Sequence, residues 1–310
     1  MAALSTDPFL AALYAQGKQL PVSFEVYPPK HPEGRASLRD SVGRLAEAEP
    51  RFFSVTCSPD GTSQHRTMNV AAEIGELTGC PAAVHLTAFG STAAQIDDVA
   101  DRLWHAGIRH IVALRGDRPA DAESVPRAYA HAADLVRALK QRHSFEISVA
   151  AYPEGHPEAE SLDADIAHLK AKLDAGADRA ICQFTLEPAH YGRFRERCAK
   201  HGITTPIVPG IMTLTLWPRV RRFALRAGTT VPAWLDEIFD GTEGEPEVQR
   251  MTAMTVMAEQ VRRLVAYGAP ALHFYTLNHW VLPLTAAHLA GRHIGNALEQ
   301  HVGLSTRAGG

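Results

Sequence analysis

Eight short apolar runs, each followed by a stretch of helical periodicity, constrain this chain more than any other feature. They read PVSFEVY (21–27), RFFSVTC (51–57), AAVHLTA (82–88), RHIVALRG (109–116), FEISVAAY (145–152), RAICQF (179–184), TPIVPGIM (205–212) and ALHFYTLN (271–278). Runs this short, with β-branched and aromatic content, read as buried strands. Between them, apolar residues recur three and four apart over 37–48, 68–79, 92–107, 128–142, 161–176 and 189–202. The interval 217–269 holds more than one helix, including 248–268, and a last helix is expected over roughly 283–300. Several of these segments end in Gly or in basic residues, as helix C-termini prefer. Eightfold strand–helix alternation predicts an α/β fold, the (β/α)8 TIM barrel. A doubly wound sheet would call for a G-x-G-x-x-G loop after an early strand, and the chain has none. No linker divides the sequence, so a single domain is expected. Residues 1–20 read as an N-terminal helix opened by Ser5, Thr6 or Asp7 and Pro8. Residues 21–300 are expected to form the barrel, 301–310 a flexible tail, and 229–247 an elaboration.

Composition narrows the function. The formal net charge is −3 over 310 residues, so no basic field is available to hold nucleic acid or an anionic membrane. The N-terminus lacks the pattern of a signal peptide and no apolar stretch reaches 18 residues, which points to a cytoplasmic protein. Cysteines 57, 80, 182 and 198 form no C-x-x-C pair. Despite 16 histidines there is no H-x-H on the first strand and no H-E-x-x-H, so no metal is expected. None of the six lysines (18, 30, 140, 170, 172, 200) closes a strand, which removes the nucleophile of a Schiff-base aldolase.

A barrel of this kind carries its active site at the C-terminal ends of its strands. Those ends hold Glu25, Thr56 with Cys57, His85 with Thr87, Arg115 with Asp117, Tyr152 through His156, Gln183, Pro209 with Gly210, and Asn278. Polar groups closing apolar strands need partners, and a ligand-lined mouth would provide them. Each has a plainer alternative. Glu25 could be a core carboxylate paired with arginine, and Arg115 and Asp117 a surface pair. His85 and His273 could be satisfied core histidines. Gln183 is harder to dismiss, because a buried amide demands several hydrogen bonds.

SFEVYPPK (23–30), VTCSPDGTSQHRT (55–67), HLTA (85–88), ALRGD (113–117), YPEGHPEA (152–159), KLDAGADRAICQF (172–184), PIVPGIM (206–212) and HFYTLN (273–278) resemble, in this order, blocks of the methylenetetrahydrofolate reductase family. The resemblance runs from about residue 20 to 290. It implies a TIM barrel that binds FAD, takes a hydride from NADH or NADPH, and passes one to 5,10-methylenetetrahydrofolate to give 5-methyltetrahydrofolate. The two substrates would take turns in a ping-pong scheme, within one-carbon metabolism and methionine biosynthesis. By family habit the chain would be a homo-oligomer whose partners are folate and nicotinamide small molecules.

The resemblance also assigns roles. Glu25 matches the family's general acid: the five-membered folate ring opens only when N10 gains a proton, and a buried carboxyl keeps its proton more readily than an exposed one. Asp117 matches a residue close to pterin and flavin, and Gln183 one that contacts folate and nicotinamide. Thr56, Cys57, His85, Arg115, Gly116, Asp117, Tyr129, Ala130, Tyr152, His156, Asp165 and Lys172 map onto FAD contacts. Without the family, Tyr129, Asp165 and Lys172 read as a solvated helix face. Three departures stand out. Cys57 replaces a flavin-contacting aromatic, His168 and Ala171 stand where Asn and Arg are common, and His279 stands where the family carries a folate-binding Arg. Arg219 is the candidate to substitute for that arginine. Two alternatives stay open: a folate oxidoreductase with weak or no FAD, or one working mainly as a 5-methyltetrahydrofolate oxidase, and a catalytically silent folate-binding protein.

Overall fold

In the computed structural model, described over residues 20–57, 64–116 and 128–292, every apolar run becomes a strand. The strands are β1 (Val22–Val26), β2 (Phe53–Val55), β3 (Ala82–Thr87), β4 (His110–Leu114), β5 (Glu146–Ala151), β6 (Arg179–Cys182), β7 (Ile207–Val208), β8 (Gly210–Met212) and β9 (Leu272–Tyr275). All pairings are parallel, in the order β7-β6-β5-β4-β3-β2-β1-β9-β8. The seventh run is thus two pieces rather than one strand. Pro209 has no N–H to give to a ladder, so pairing breaks there. The halves step from one neighbour to the other: β7 pairs with β6, β8 pairs with β9, and the Pro209 carbonyl accepts from His273 N at 3.0 Å. The ring closes across that break. Gly210 is obligatory at the joint, because a Cβ would collide with the Cys182 carbonyl and the Tyr275 ring.

Ten helices among the described residues surround the ring: α1 (Pro32–Ala46), α2 (Gln64–Thr78), α3 (Ala93–His105), α4 (Ala132–Arg142), α5 (Leu162–Asp174), α6 (Pro188–Lys200), α7 (Trp217–Arg226), α8 (Ala233–Phe239), α9 (Pro246–Ala266) and α10 (Val281–Leu289). Their starts follow local chemistry. Thr92 and Gln95 form a reciprocal capping box on α3, and Ser161 accepts from Ala164 N at 3.1 Å on α5. The expected elaboration at 229–247 contains α8. The expected N-terminal helix and tail lie outside the described residues.

Side-chain alternation along the strands sorts the molecule into two interiors. Outward residues such as Phe24, Phe53 and Phe274 join the helices in one continuous core, with Phe24 5.8 Å from Phe53 and 5.7 Å from Phe274 between ring centroids. Inside the ring, a small apolar plug consists of Phe52, Ala83, Val112 and Ile181, with Leu114 packed on it. The other inward positions of β1 and β9 are polar or amphipathic: Ser23, Glu25, His273 and Tyr275. An apolar shell around a partly polar lumen concentrates the chemistry on the barrel axis.

Candidate active site

At the C-terminal ends, Glu25 projects from β1 with its side chain largely buried. Its Oε2 lies 3.4 Å from His85 Nε2 on β3 and 3.8 Å from His273 Nε2 on β9. Burial holds His85 below the ordinary histidine range; the His273 ring acts in the same direction, while the Glu25 carboxylate opposes both. His85 is therefore a neutral imidazole near pH 7, and no arginine among the described residues reaches Glu25 as an ion pair. The core-arginine alternative for Glu25 is not what the fold builds. Tyr275, the register partner of Glu25, donates from Oη to the Cys182 carbonyl at 2.8 Å. Burial, then the charge of Glu25, raises its phenol well above the usual value, so it stays a donor. Tyr275 thereby connects Glu25 to the end of β6, where Gln183 follows. Gln183 Oε1 accepts from Phe184 N at 3.1 Å, while among the described residues its two Nε2 donors have no partner.

A cationic cluster lies over the ends of β4 and β5. Arg115 Nη1 is 2.7 Å from Glu158 Oε2, and Arg115 Nε donates to the Gly116 carbonyl at 3.3 Å. Arg115 therefore pairs with Glu158; Asp117 lies outside the described residues. Lys172 reaches in from α5 and donates to the Ala150 carbonyl at 2.6 Å. Burial pushes its ammonium down to about 8, the neighbouring Asp165 opposes that, and Arg115 adds to it. Asp165 is itself 7% exposed and accepts from His156 N at 3.2 Å. Asp165 and Lys172 are seven residues apart on the face of α5 that buries Ile166, Leu169 and Leu173, so neither sits on a solvated helix face. The Tyr152 and His156 rings meet edge to face at 4.7 Å, and burial, then Arg115, holds His156 below its ordinary value.

Other expected residues fall as follows. Tyr129 and Ala130 precede α4 instead of lying within it, because the helix starts only after His131, whose N–H donates to Asp134 Oδ2 at 3.3 Å. Thr56 follows β2, its carbonyl taken by Thr67 Oγ1 at 2.9 Å. Cys57 Sγ donates to Gln64 Oε1 at 3.5 Å, and Gln64 Nε2 donates to the His85 carbonyl at 3.4 Å. Arg219 and His279 both reach the surface, and partial burial, then the charge of Arg219, lowers the His279 imidazole. His168 stacks on His131 at 6.3 Å. Asn278 serves structure: with φ of 62° it accepts from Tyr27 N and donates to the Tyr27 carbonyl, both at 2.9 Å.

Two groups were given no individual role by the sequence reading. Glu154, inside the stretch Tyr152 through His156, is largely buried, accepts from Thr230 N at 2.9 Å through Oε2, and leaves Oε1 without a partner among the described residues. Ser23 bonds His273 Nδ1 at 2.7 Å. The signal for Ser23 was its spacing of two from Glu25, which puts both on the lumen face. Among the described residues no three His, Cys, Asp or Glu side chains gather as a metal set.

Comparison with known proteins accords with this geometry. The family model for methylenetetrahydrofolate reductase matches residues 11–289. A "5,10-methylenetetrahydrofolate reductase" of Pectobacterium carotovorum is 42% identical over 270 residues, 87% of this chain and 90% of that one. The protein of the same description from Escherichia coli K12 is 40% identical over 273 residues, 88% of this chain and 91% of that one. Among solved structures, an uncharacterized protein from Clostridium thermocellum that binds two copies of 5-methyl-5,6,7,8-tetrahydrofolic acid superposes with a TM-score of 0.60. It is 13% identical, covers 91% of this chain and 97% of its own, and speaks to the fold alone. The chain belongs to the methylenetetrahydrofolate reductase family.

Proposed function

We propose that the chain is a flavin-dependent 5,10-methylenetetrahydrofolate reductase that uses NADH or NADPH. The observation that carries this reading is the carboxyl of Glu25, set at the end of β1 beside two imidazoles and with no arginine or lysine paired to it among the described residues. Glu25 is the proton donor. Its proton passes to N10 of the folate, the bond from N10 to the bridging carbon breaks, and that carbon becomes able to accept a hydride, giving 5-methyltetrahydrofolate. Neither His85 nor Tyr275 presents a positive charge that would favour the ionised form of this carboxyl.

The residues at the mouth suit FAD by their chemistry. Arg115 and Lys172 offer positive charge for a pyrophosphate, which would in turn favour the protonated form of Lys172, and Tyr152 with His156 offers aromatic surface. Thr56, His85, Gly116, Tyr129, Ala130 and Asp165 border the same mouth in this reading. When bound, FAD supplies a carrier for two electrons between a nicotinamide and a folate. Gln183 positions both substrates through its unpartnered amide donors, and Asp117 orients the pterin. Arg219 and His279 take the folate's glutamate end, with Arg219 replacing the charge that His279 lacks.

An anaerobic visible spectrum of the purified protein tests the reading. A band near roughly 450 nm that NADH bleaches and methylenetetrahydrofolate restores is expected. A colourless protein that still oxidises NADH with the folate would contradict the flavin, and a flavin that the folate never reoxidises would contradict the substrate.

A further inference from the structure

We infer that Ser23, acting through His273, keeps Glu25 in its proton-donating form, which makes Ser23 and His273 positioning residues of the reaction. The inference rests on the reading of Glu25 as the proton donor. Three residues on two adjacent strands carry it. Ser23 and Glu25 are two apart on β1 and so face the lumen together, and His273 on β9 is the register partner of Ser23.

The His273 ring has one fixed orientation. It is 1% exposed, Phe52 stacks on it at 6.1 Å, and Tyr275 meets it edge-on at 5.2 Å. Its Nδ1 bonds Ser23 Oγ at 2.7 Å, and its Nε2 lies 3.8 Å from Glu25 Oε2. A neutral imidazole carries one proton, so the partner of one nitrogen decides what the other nitrogen presents. Ser23 is 4% exposed, and its hydroxyl also lies 3.5 Å from the Leu272 carbonyl, an acceptor only. Both of its roles are met when it donates to Leu272 and accepts from Nδ1–H. That arrangement leaves a bare lone pair on Nε2 facing Glu25. A lone pair attracts a protonated carboxyl and repels a carboxylate. The opposite tautomer would aim Nε2–H at Glu25 and favour the ionised form, which has no proton to give. The remaining groups around Glu25 among the described residues are His85 from β3 and Tyr275 from β9, and neither carries positive charge near pH 7.

Nitrogen-15 spectra of the histidine-labelled protein, as purified, report the tautomer directly. His273 protonated on Nδ1 is expected; protonation on Nε2 in the unaltered protein overturns the inference without any variant. Ser23→Ala should move the His273 signals toward the Nε2–H form, and Ser23→Thr, which keeps the hydroxyl, should return them. In the holoenzyme, Ser23→Ala should shift the alkaline limb of the folate half-reaction to lower pH, slowing it roughly ten-fold at neutral pH. The nicotinamide half-reaction, which needs no acid, should hold its rate. An unmoved limb in Ser23→Ala refutes the role of Ser23 and His273. Persistence of that limb in Glu25→Gln refutes instead the reading of Glu25, and the two failures are separate.

Discussion

The two ends of the barrel lumen are both polar, yet they treat charge in opposite ways. At the N-terminal ends of the strands, a cavity of about 690 Å³ is lined by residues such as Ser23, Arg51, Phe52, Glu146 and Arg179. Its charges answer one another. Glu146 contacts Arg179 through Oε1, lies 3.0 Å from His110 Nε2 and 3.9 Å from Arg51, while Lys140 is 2.8 Å from Asp178. Arg179 also lies over the Phe52 ring at 5.2 Å. At the C-terminal ends, by contrast, and among the described residues, Glu25 meets the imidazoles of His85 and His273 and no guanidinium, Lys172 has a backbone carbonyl as its one bonded partner, and the Gln183 donors are unpartnered. That cavity is therefore not where the reactive groups gather. At the base the charges are paired with one another, although His110 Nδ1 has no hydrogen-bond partner among the described residues, while at the mouth Gln183 and Lys172 keep capacity for a ligand.

Three substitutions probe that contrast, in falling order of their effect on stability. Glu146→Ala should lower stability by roughly 3–5 kcal/mol, since Arg179 would be left buried and uncompensated. Urea unfolding measures it, and the surviving folded fraction should still bind flavin. A loss under about 1 kcal/mol would mean the base is no tighter than a surface.

Lys172→Met should do the reverse at the mouth. Burial lowers the ammonium from 10.5 to about 8, so the folded state binds fewer protons than the unfolded chain between those values. The penalty is fully present below pH 8 and is relieved as pH rises toward 10.5. Removing the charge should therefore stabilise the protein by about 1–3 kcal/mol at pH 7, with the gain vanishing near pH 10.5, while FAD binding weakens. In the unaltered protein, FAD affinity should fall as pH rises through about 8. Stability curves at two pH values and a flavin titration check both statements; equal stability at pH 7 would place Lys172 with the structural charges.

Glu158→Gln is the mildest. The Arg115 pair is partly exposed, so stability should change by less than about 1 kcal/mol, yet flavin affinity should rise because Arg115 no longer has a competing carboxylate. Unchanged or weaker binding would show that Arg115 serves the loop and not the cofactor.

The legible part of the fold was the outward-facing half of each strand, because Val22, Phe24 and Val26 or Phe53 and Val55 pack on helices and produce apolar runs. The Pro209 break was visible in the letters but carried no hint that the two halves pair with different neighbours, which depends on ring closure. At the mouth, Glu25, His85 and Gln183 stood out as polar ends of apolar strands. Asp165 and Lys172 were harder: charged residues on a helix look solvated until the seven-residue spacing is matched to the buried face of α5. The Ser23–His273 pair spans 250 positions in sequence and forms only through β1–β9 register, which no local pattern reports.

The central claim is that Glu25 donates a proton at the mouth of the barrel, and stopped-flow measurement of the two half-reactions in Glu25→Gln tests it most directly. The account predicts that NADH still bleaches the flavin while reoxidation by methylenetetrahydrofolate slows by about 10²–10⁴-fold, with unfolding stability near that of the unaltered protein. Equal damage to both half-reactions, or a folate half-reaction that keeps its rate, would contradict it.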